Sequence, residues 1–180
     1  MKSTSGRLFL SGIFFICIAV LIFATKEDRL TKNEATFADS CGISFPEPRG
    51  YTSDFVKLFN EREIIQLDSM IWQHEKETGN QIAIITVDSA MMNNCSLEEY
   101  SRQIGKNWGV GQKDKNNGVV IGIAPSLRKV TVRNGYGIES KMTDGETKII
   151  IDSIFVPFFK QGQYFEGTRN GLFAIFEQIR

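Results

Sequence analysis

The sequence predicts an α/β fold, a three-layer α/β/α sandwich with a small mixed, mostly parallel sheet of Rossmann-like kind. Three observations carry that prediction. Residues 81–87 (QIAIITV) and 118–124 (GVVIGIA) are short, nearly continuous apolar runs, the pattern of strands buried on both faces. A helical stretch separates them, so the unit from Ile82 to Ala124 reads as strand–helix–strand with a right-handed parallel crossover. After a turn at residues 125–128, residues 129–133 (KVTVR) alternate polar and apolar, which suits an antiparallel edge strand.

The helices announce themselves by their caps. Asn60 and Glu63 form an N-x-x-E capping box, followed at helical spacing by Ile64, Leu67, Ile71 and then Trp72, with Gly79 as the C-terminal stop. Ser96 and Glu99 form a second box ahead of Tyr100, Ile104 and Trp108, stopping at Gly109. Thr143 and Glu146 form a third, opening a helix through Ile150 and Ile154 toward Pro157. Phe165, Leu172, Phe176 and Ile179 mark a last helix, and the Phe-rich end is read as core. His74, at the end of its helix, is expected to be partly buried or to face the helix dipole.

The front of the chain is a membrane signal. Leu8 to Ala24 carries no charge, with Lys2 and Arg7 before it and Lys26 to Arg29 after it. Such a run is a signal anchor or a cleaved signal peptide, and both place the remainder outside the cytoplasm. Residues 1–25 are assigned to it, 26–48 to a polar linker and 49–180 to a folded domain. Ending at Arg180, the chain is expected to be anchored through its N-terminus alone.

Composition then limits the chemistry. Lys+Arg and Asp+Glu are balanced at 21 each, and no nucleic-acid partner is expected, because phosphate neutralisation needs a basic excess. One His and three Cys exclude multi-histidine metal centres and a four-thiolate zinc site. A phosphatase needs an activated nucleophile or carboxylates spanning metals. Neither Cys41 nor Cys95 lies in a His-Cys loop ending in Arg, and there is no Asp-x-Asp pair. Cys41 and Cys95 either pair outside the cytoplasm, stapling linker to domain, or stay as two thiols.

Eight short segments, in order and spacing, resemble one family. They are residues 50–55 (GYTSDF), 77–84 (ETGNQIAI), 108–113 (WGVGQK) with 117–119 (NGV), 128–132 (RKVTV), 135–139 (GYGIE), 143–144 (TD), 157–159 (PFF) and 162–164 (GQY). Together they look like the TPM domain, named for thylakoid and membrane-protein members and sometimes labelled a TPM phosphatase. The resemblance covers about residues 49–180. It implies a tethered or exported α/β/α domain that binds Ca²⁺ or Mg²⁺ and serves membrane-protein partners, with phosphatase activity described for some members. Asn116 stands where many relatives have Asp, so one anionic ligand is missing here.

Topology sorts the candidate ligands. Parallel strands at Ile82 and Gly118 put the loop 109–117 at the N-terminal end of the sheet, and the returning edge strand delivers residues 135–144 to that same end. Asp114, Asn117, Glu139 and Asp144 are thus candidate oxygen ligands for Ca²⁺ or Mg²⁺. Asp54 and Asp88 fall at the opposite end, where Asp54 either binds an ion or caps a short turn. Plainer roles stand beside these: Asp144 opposing a helix dipole, Asn117 in a turn, and Glu139 paired with Arg133 or Lys141. The expected function is a membrane-tethered domain that binds a divalent cation and docks onto a membrane protein. The alternative is a metal-dependent acid phosphatase in which Arg133 or Arg128 clamps the phosphate.

Overall fold

The structure is a computed structural model that describes Gly42 and residues 44–180; the Leu8–Ala24 segment, Cys17 and Cys41 lie outside the described residues. Four strands form one sheet in the order β1-β2-β3-β4. They are β1 (Thr52–Asp54), β2 (Gln81–Thr86), β3 (Gly118–Ala124) and β4 (Lys129–Asn134). The first three run parallel and β4 runs antiparallel to β3. The helices are α1 (Glu61–Thr78), α2 (Ser89–Met92), α3 (Leu97–Asn107), α4 (Tyr136–Glu139), α5 (Asp144–Ile150), α6 (Val156–Lys160) and α7 (Tyr164–Ile179).

Register fixes two separate cores. Ile84 lies opposite Ile121, and Ile121 opposite Val132. Successive residues point to opposite faces, so these three project together. They join Leu67 and Ile71 of α1 and Leu172, Ile175 and Phe176 of α7 in one cluster. On the other face Ile85, Val87, Val120 and Ala124 pack with Leu97, Tyr100 and Ile104 of α3. Helices on both faces of a sheet with three parallel strands and one antiparallel edge give the three-layer α/β arrangement the apolar runs predict.

Asn60 and Thr143 both make complete reciprocal capping boxes. Ser96 makes only half of one. Its hydroxyl accepts from Glu99 N at 3.1 Å, while the Glu99 carboxylate turns away to bind Arg102, a stronger, charge-assisted partner. The helix expected to run toward Pro157 continues through it to Lys160. A π-helical turn over Ile151–Phe155 makes this possible: the wider turn sits directly before the proline, whose missing N–H would otherwise break an α-helical ladder. Strand β1 and helices α2 and α4, each three or four residues long, are below what periodicity detects.

The entering chain is fastened to the domain. The Trp108 indole donates to Pro46 O at 2.8 Å, the Phe45 ring lies 5.3 Å from that of Tyr100, and Arg49 sits over the Phe55 ring. Cys95, after α2, is disulfide-bonded; Cys41, its expected partner, is outside the described residues.

His74 is buried and stacks on Phe176 with ring centroids 4.3 Å apart. Its pKa is lowered, first by burial and then by Arg180 and Lys141, while Glu77 pulls the other way. A histidine held neutral by the fold contributes stability that is complete above the unfolded pKa of about 6.5 and is lost as pH falls through the folded value. Urea midpoints are therefore expected to drop on acidification below about 6.5, and His74→Phe, which keeps a stacked ring, should flatten that slope. An unchanged slope would mean that other groups dominate.

Candidate functional site

At the N-terminal end of the parallel strands, two segments distant in sequence are locked together. Gly135 N donates to Gly118 O at 2.8 Å and Gly137 N to Asn116 O at 3.0 Å. A Cβ on Gly137 would stand 1.9 Å from Lys115 O. Only glycine allows the backbone to approach this closely, which accounts for the Gly-Tyr-Gly spacing. The expected meeting of residues 109–117 with residues 135–144 is thus realised in backbone contacts.

Two of the predicted ligands, Asn117 and Asp54, have their side-chain oxygens engaged by backbone N–H groups of the protein itself. Asn117 is buried and spoken for: its Nδ2 donates to Gly79 O at 2.8 Å and Asn80 Oδ1 at 3.3 Å, and its Oδ1 accepts from Gln112 N at 2.8 Å. It pins the loop to the start of β2. Asp54, at the opposite end and 8% exposed, caps a turn. Its Oδ1 accepts from Leu58 N at 3.0 Å and from the Thr86 hydroxyl, and its Oδ2 accepts from Phe59 N at 2.9 Å. Asp88 likewise caps α2 through Met91 N.

Asp114, Glu139 and Asp144 are exposed. Asp144 occupies the first turn of α5, where a carboxylate complements the helix dipole. Among the described residues Glu139 makes no ion pair with Arg133 or Lys141; Lys141 instead donates to the carbonyls of Ile179 and Arg180. No three His, Cys, Asp or Glu side chains among the described residues stand close enough to hold a metal ion. The carboxylates among the described residues therefore form no preassembled cluster of three for Ca²⁺ or Mg²⁺.

What the locked corner does form is a cleft of 570 Å³ between α3 and the β4–α4 corner. Ser101, Arg102, Gly105 and Lys106 make one wall, Gly118 and Val120 the floor, and Arg133, Asn134, Tyr136 and Glu139 the other wall, with Lys113 at the lip. Four cationic side chains thus face one carboxylate. Arg102 is held by two bonds to Glu99, with Nε to Oε2 at 2.7 Å, and that bonding raises its pKa against the opposing effect of burial. Among the described residues Lys106, Lys113 and Arg133 have no ion-pair partner. Ser101 is fully buried, and neither its hydroxyl nor Asn134 Oδ1 has a hydrogen-bond partner among the described residues.

The sequence holds only traces of this cleft. Arg102 and Lys106 sit one helical turn apart with Gly105 between them, but Lys113 reaches them from the loop before β3 and Arg133 through the β3–β4 pairing. Arg133, expected as a phosphate clamp, lies in the cleft. Arg128, its expected equivalent, follows the C-terminal end of β3, at the far end of the sheet. A second hollow of 430 Å³ lies beside β1, bordered by Tyr51, Glu75, Ile82 and Trp108.

Several solved structures share this fold. The N-terminal domain of a protein from P. gingivalis is 25% identical with a TM-score of 0.64, covering 71% of this chain and 80% of that one. The N-terminal domain of the cg2496 protein from Corynebacterium glutamicum is 14% identical with a TM-score of 0.55, covering 79% and 89%. The BA42 protein from the psychrophilic bacterium Bizionia argentinensis is 17% identical with a TM-score of 0.56, covering 69% and 83%. No curated protein matches the chain. The TPM domain family matches residues 52–178, from the first strand to the end of α7, and the chain belongs to that family.

Proposed function

We propose that this TPM domain is a membrane-tethered docking module outside the cytoplasm, and that the cleft between α3 and the β4–α4 corner receives its membrane-protein partner. The cationic cleft between α3 and the glycine-locked β4–α4 corner carries this reading. Tyr136, 83% exposed at the rim, is the kind of amphipathic aromatic that anchors interfaces. The half-cystine at Cys95 supports an oxidising compartment, as does the uncharged Leu8–Ala24 segment. A photo-cross-linking residue at position 136 is expected to capture a membrane protein in native membranes. The same residue at Leu127, exposed at the far end of the sheet, should not, and Lys106→Glu should abolish the capture. Equal capture from both positions would overturn the docking site.

A divalent cation enters this reading as an accessory ligand of exposed carboxylates. Calcium titration is expected to move the amides of Asp114, Glu139 and Asp144 only at about 0.1–1 mM or above, the range of weak extracellular sites. Asn117 and Asp54, whose oxygens are already engaged, should stay still. Micromolar saturation centred on Asn117 would reverse this assignment.

The second reading, hydrolysis of phosphate monoesters, is favoured by one observation: Glu139 is the single carboxylate in a cleft of four cations, a place where a phosphate is held and a proton exchanged. Turnover of a monoester that Glu139→Gln removes would select this reading over simple docking.

A further inference from the structure

We propose that the hollow beside β1 binds a small, free quaternary ammonium ion. Tyr51, Glu75 and Trp108, which build this hollow, take no part in the docking cleft. Its occupancy therefore requires no docking partner.

The hollow is negatively charged. Glu75 is the single charged residue in its lining, and among the described residues it has no ion-pair partner. Neutral donors hold its carboxylate. Gln81 Nε2 donates to Glu75 Oε1 at 2.8 Å, and Gln81 Oε1 in turn accepts from Gly111 N at 2.8 Å. The Tyr51 hydroxyl is the other neighbour: its hydrogen bond to Glu75, then burial, then the charges of Glu75 and Asp68 raise its pKa. A carboxylate that accepts from neutral donors is oriented by them and keeps its charge.

The basic residues nearby are turned elsewhere. Arg49 reaches over the Phe55 ring at 4.3 Å and donates to Asp54 O at 3.3 Å. Lys76 lies over the Trp72 ring at 5.0 Å, and Lys106 and Lys113 line the docking cleft. Asp68, two turns before Glu75 on α1, accepts from Thr52 N at 2.7 Å and adds to the negative field at Tyr51. Glu47, exposed beside Pro48, has the same sign.

The walls decide which cation fits. Tyr51 and Trp108 supply aromatic surface, and Ile82 and Val110 supply aliphatic surface. Both aromatic residues are anchored, Tyr51 by its carbonyl to Ile84 N and Trp108 by its indole to Pro46 O, each at 2.8 Å. Ca²⁺ or Mg²⁺ takes about six or more oxygen ligands, which one carboxylate among rings and methyl groups does not provide. An ammonium ion is attracted by ring faces as well as by the carboxylate. With Gln81 and Tyr51 already bonded to Glu75, charge rather than hydrogen bonding is what remains to be met. A quaternary ammonium ion carries that charge, has no N–H, and places its methyl groups against apolar walls. The volume of 430 Å³ falls within the roughly 300–1,000 Å³ typical of small-ligand sites.

The full chain is titrated with choline chloride at constant ionic strength while amide and indole resonances are followed. Saturable shifts are expected at Tyr51, Gln81, Ile82, Val110 and the Trp108 indole N–H, half-complete at about 0.1–10 mM. The indole of Trp72, exposed on α1, should show no saturation. The neutral carbon isostere of choline, with a tert-butyl group in place of trimethylammonium, should bind roughly tenfold more weakly or worse. Glu75→Gln keeps the size of the side chain and removes its charge, so affinity for choline should fall roughly tenfold or more in a spectrum that stays folded. Tyr51→Phe, which keeps the ring, should retain binding, and Tyr51→Leu should weaken it severalfold. No saturable shift up to about 50 mM choline, saturation confined to residues outside the hollow, or equal binding of the neutral isostere overturns the proposal. Undiminished binding in folded Glu75→Gln does the same. The isostere comparison is made on the wild-type chain and decides the matter should that variant fail to fold.

Discussion

Replacing Phe155 by alanine is expected to destabilise the domain by about 3–5 kcal/mol, the range for deleting a fully buried aromatic ring. Phe155 is completely buried in the π-helical turn that carries the chain through Pro157. Its ring meets Phe159 edge-on at 5.7 Å and lies flush on α7, where a Cβ on Gly171 would come within 2.1 Å of the ring. Close backbone approach on one side and an aromatic edge on the other leave little freedom for neighbours to collapse into the void. The cavity contribution should therefore fall at the high end. Phe155→Leu, which refills part of the space, should cost less than half as much. Urea denaturation of the three proteins checks both statements; equal midpoints for the alanine variant and wild type would refute the packing account.

Asp54→Ala should cost about 3 kcal/mol, because it removes a buried carboxylate that accepts from two backbone N–H groups and a hydroxyl and strands those donors. The turn it holds contains Lys57 in the left-handed region at φ 55, a conformation that a non-glycine residue adopts at some cost. Asp54→Asn replaces one acceptor oxygen by a donor facing other donors and should recover little. If Asp54 were instead an ion ligand, calcium would stabilise wild type and have no effect on the variant. On the capping account, calcium shifts the denaturation midpoints of both proteins equally or not at all.

How much of this was legible follows from physical range. Capping boxes and apolar runs act over three to seven residues, so α1, α3, α5, β2 and β3 could be read directly. The parallel crossover then placed residues 109–117 and 135–144 at one end of the sheet. Strand β1 escaped because its three residues, Thr52 to Asp54, are buried by tertiary contact rather than by an alternating pattern of their own. Acidic residues were sorted correctly by end but not by partner. Whether Asn117 faces an ion or Gly79 O depends on the exact close of the loop, which no spacing encodes. The cleft was harder still, since its four cations come from three elements and vanish into an overall charge of zero.

Helix α3 serves two neighbours at once. Its Tyr100 and the following Trp108 grip the chain entering at Phe45 and Pro46, while its Arg102 and Lys106 wall the cleft. A displacement of the chain at Phe45 and Pro46 is thus felt first by the helix that forms one wall of the cleft. The entering segment and the cleft thus share one rigid part, so what shifts the first shifts a wall of the second.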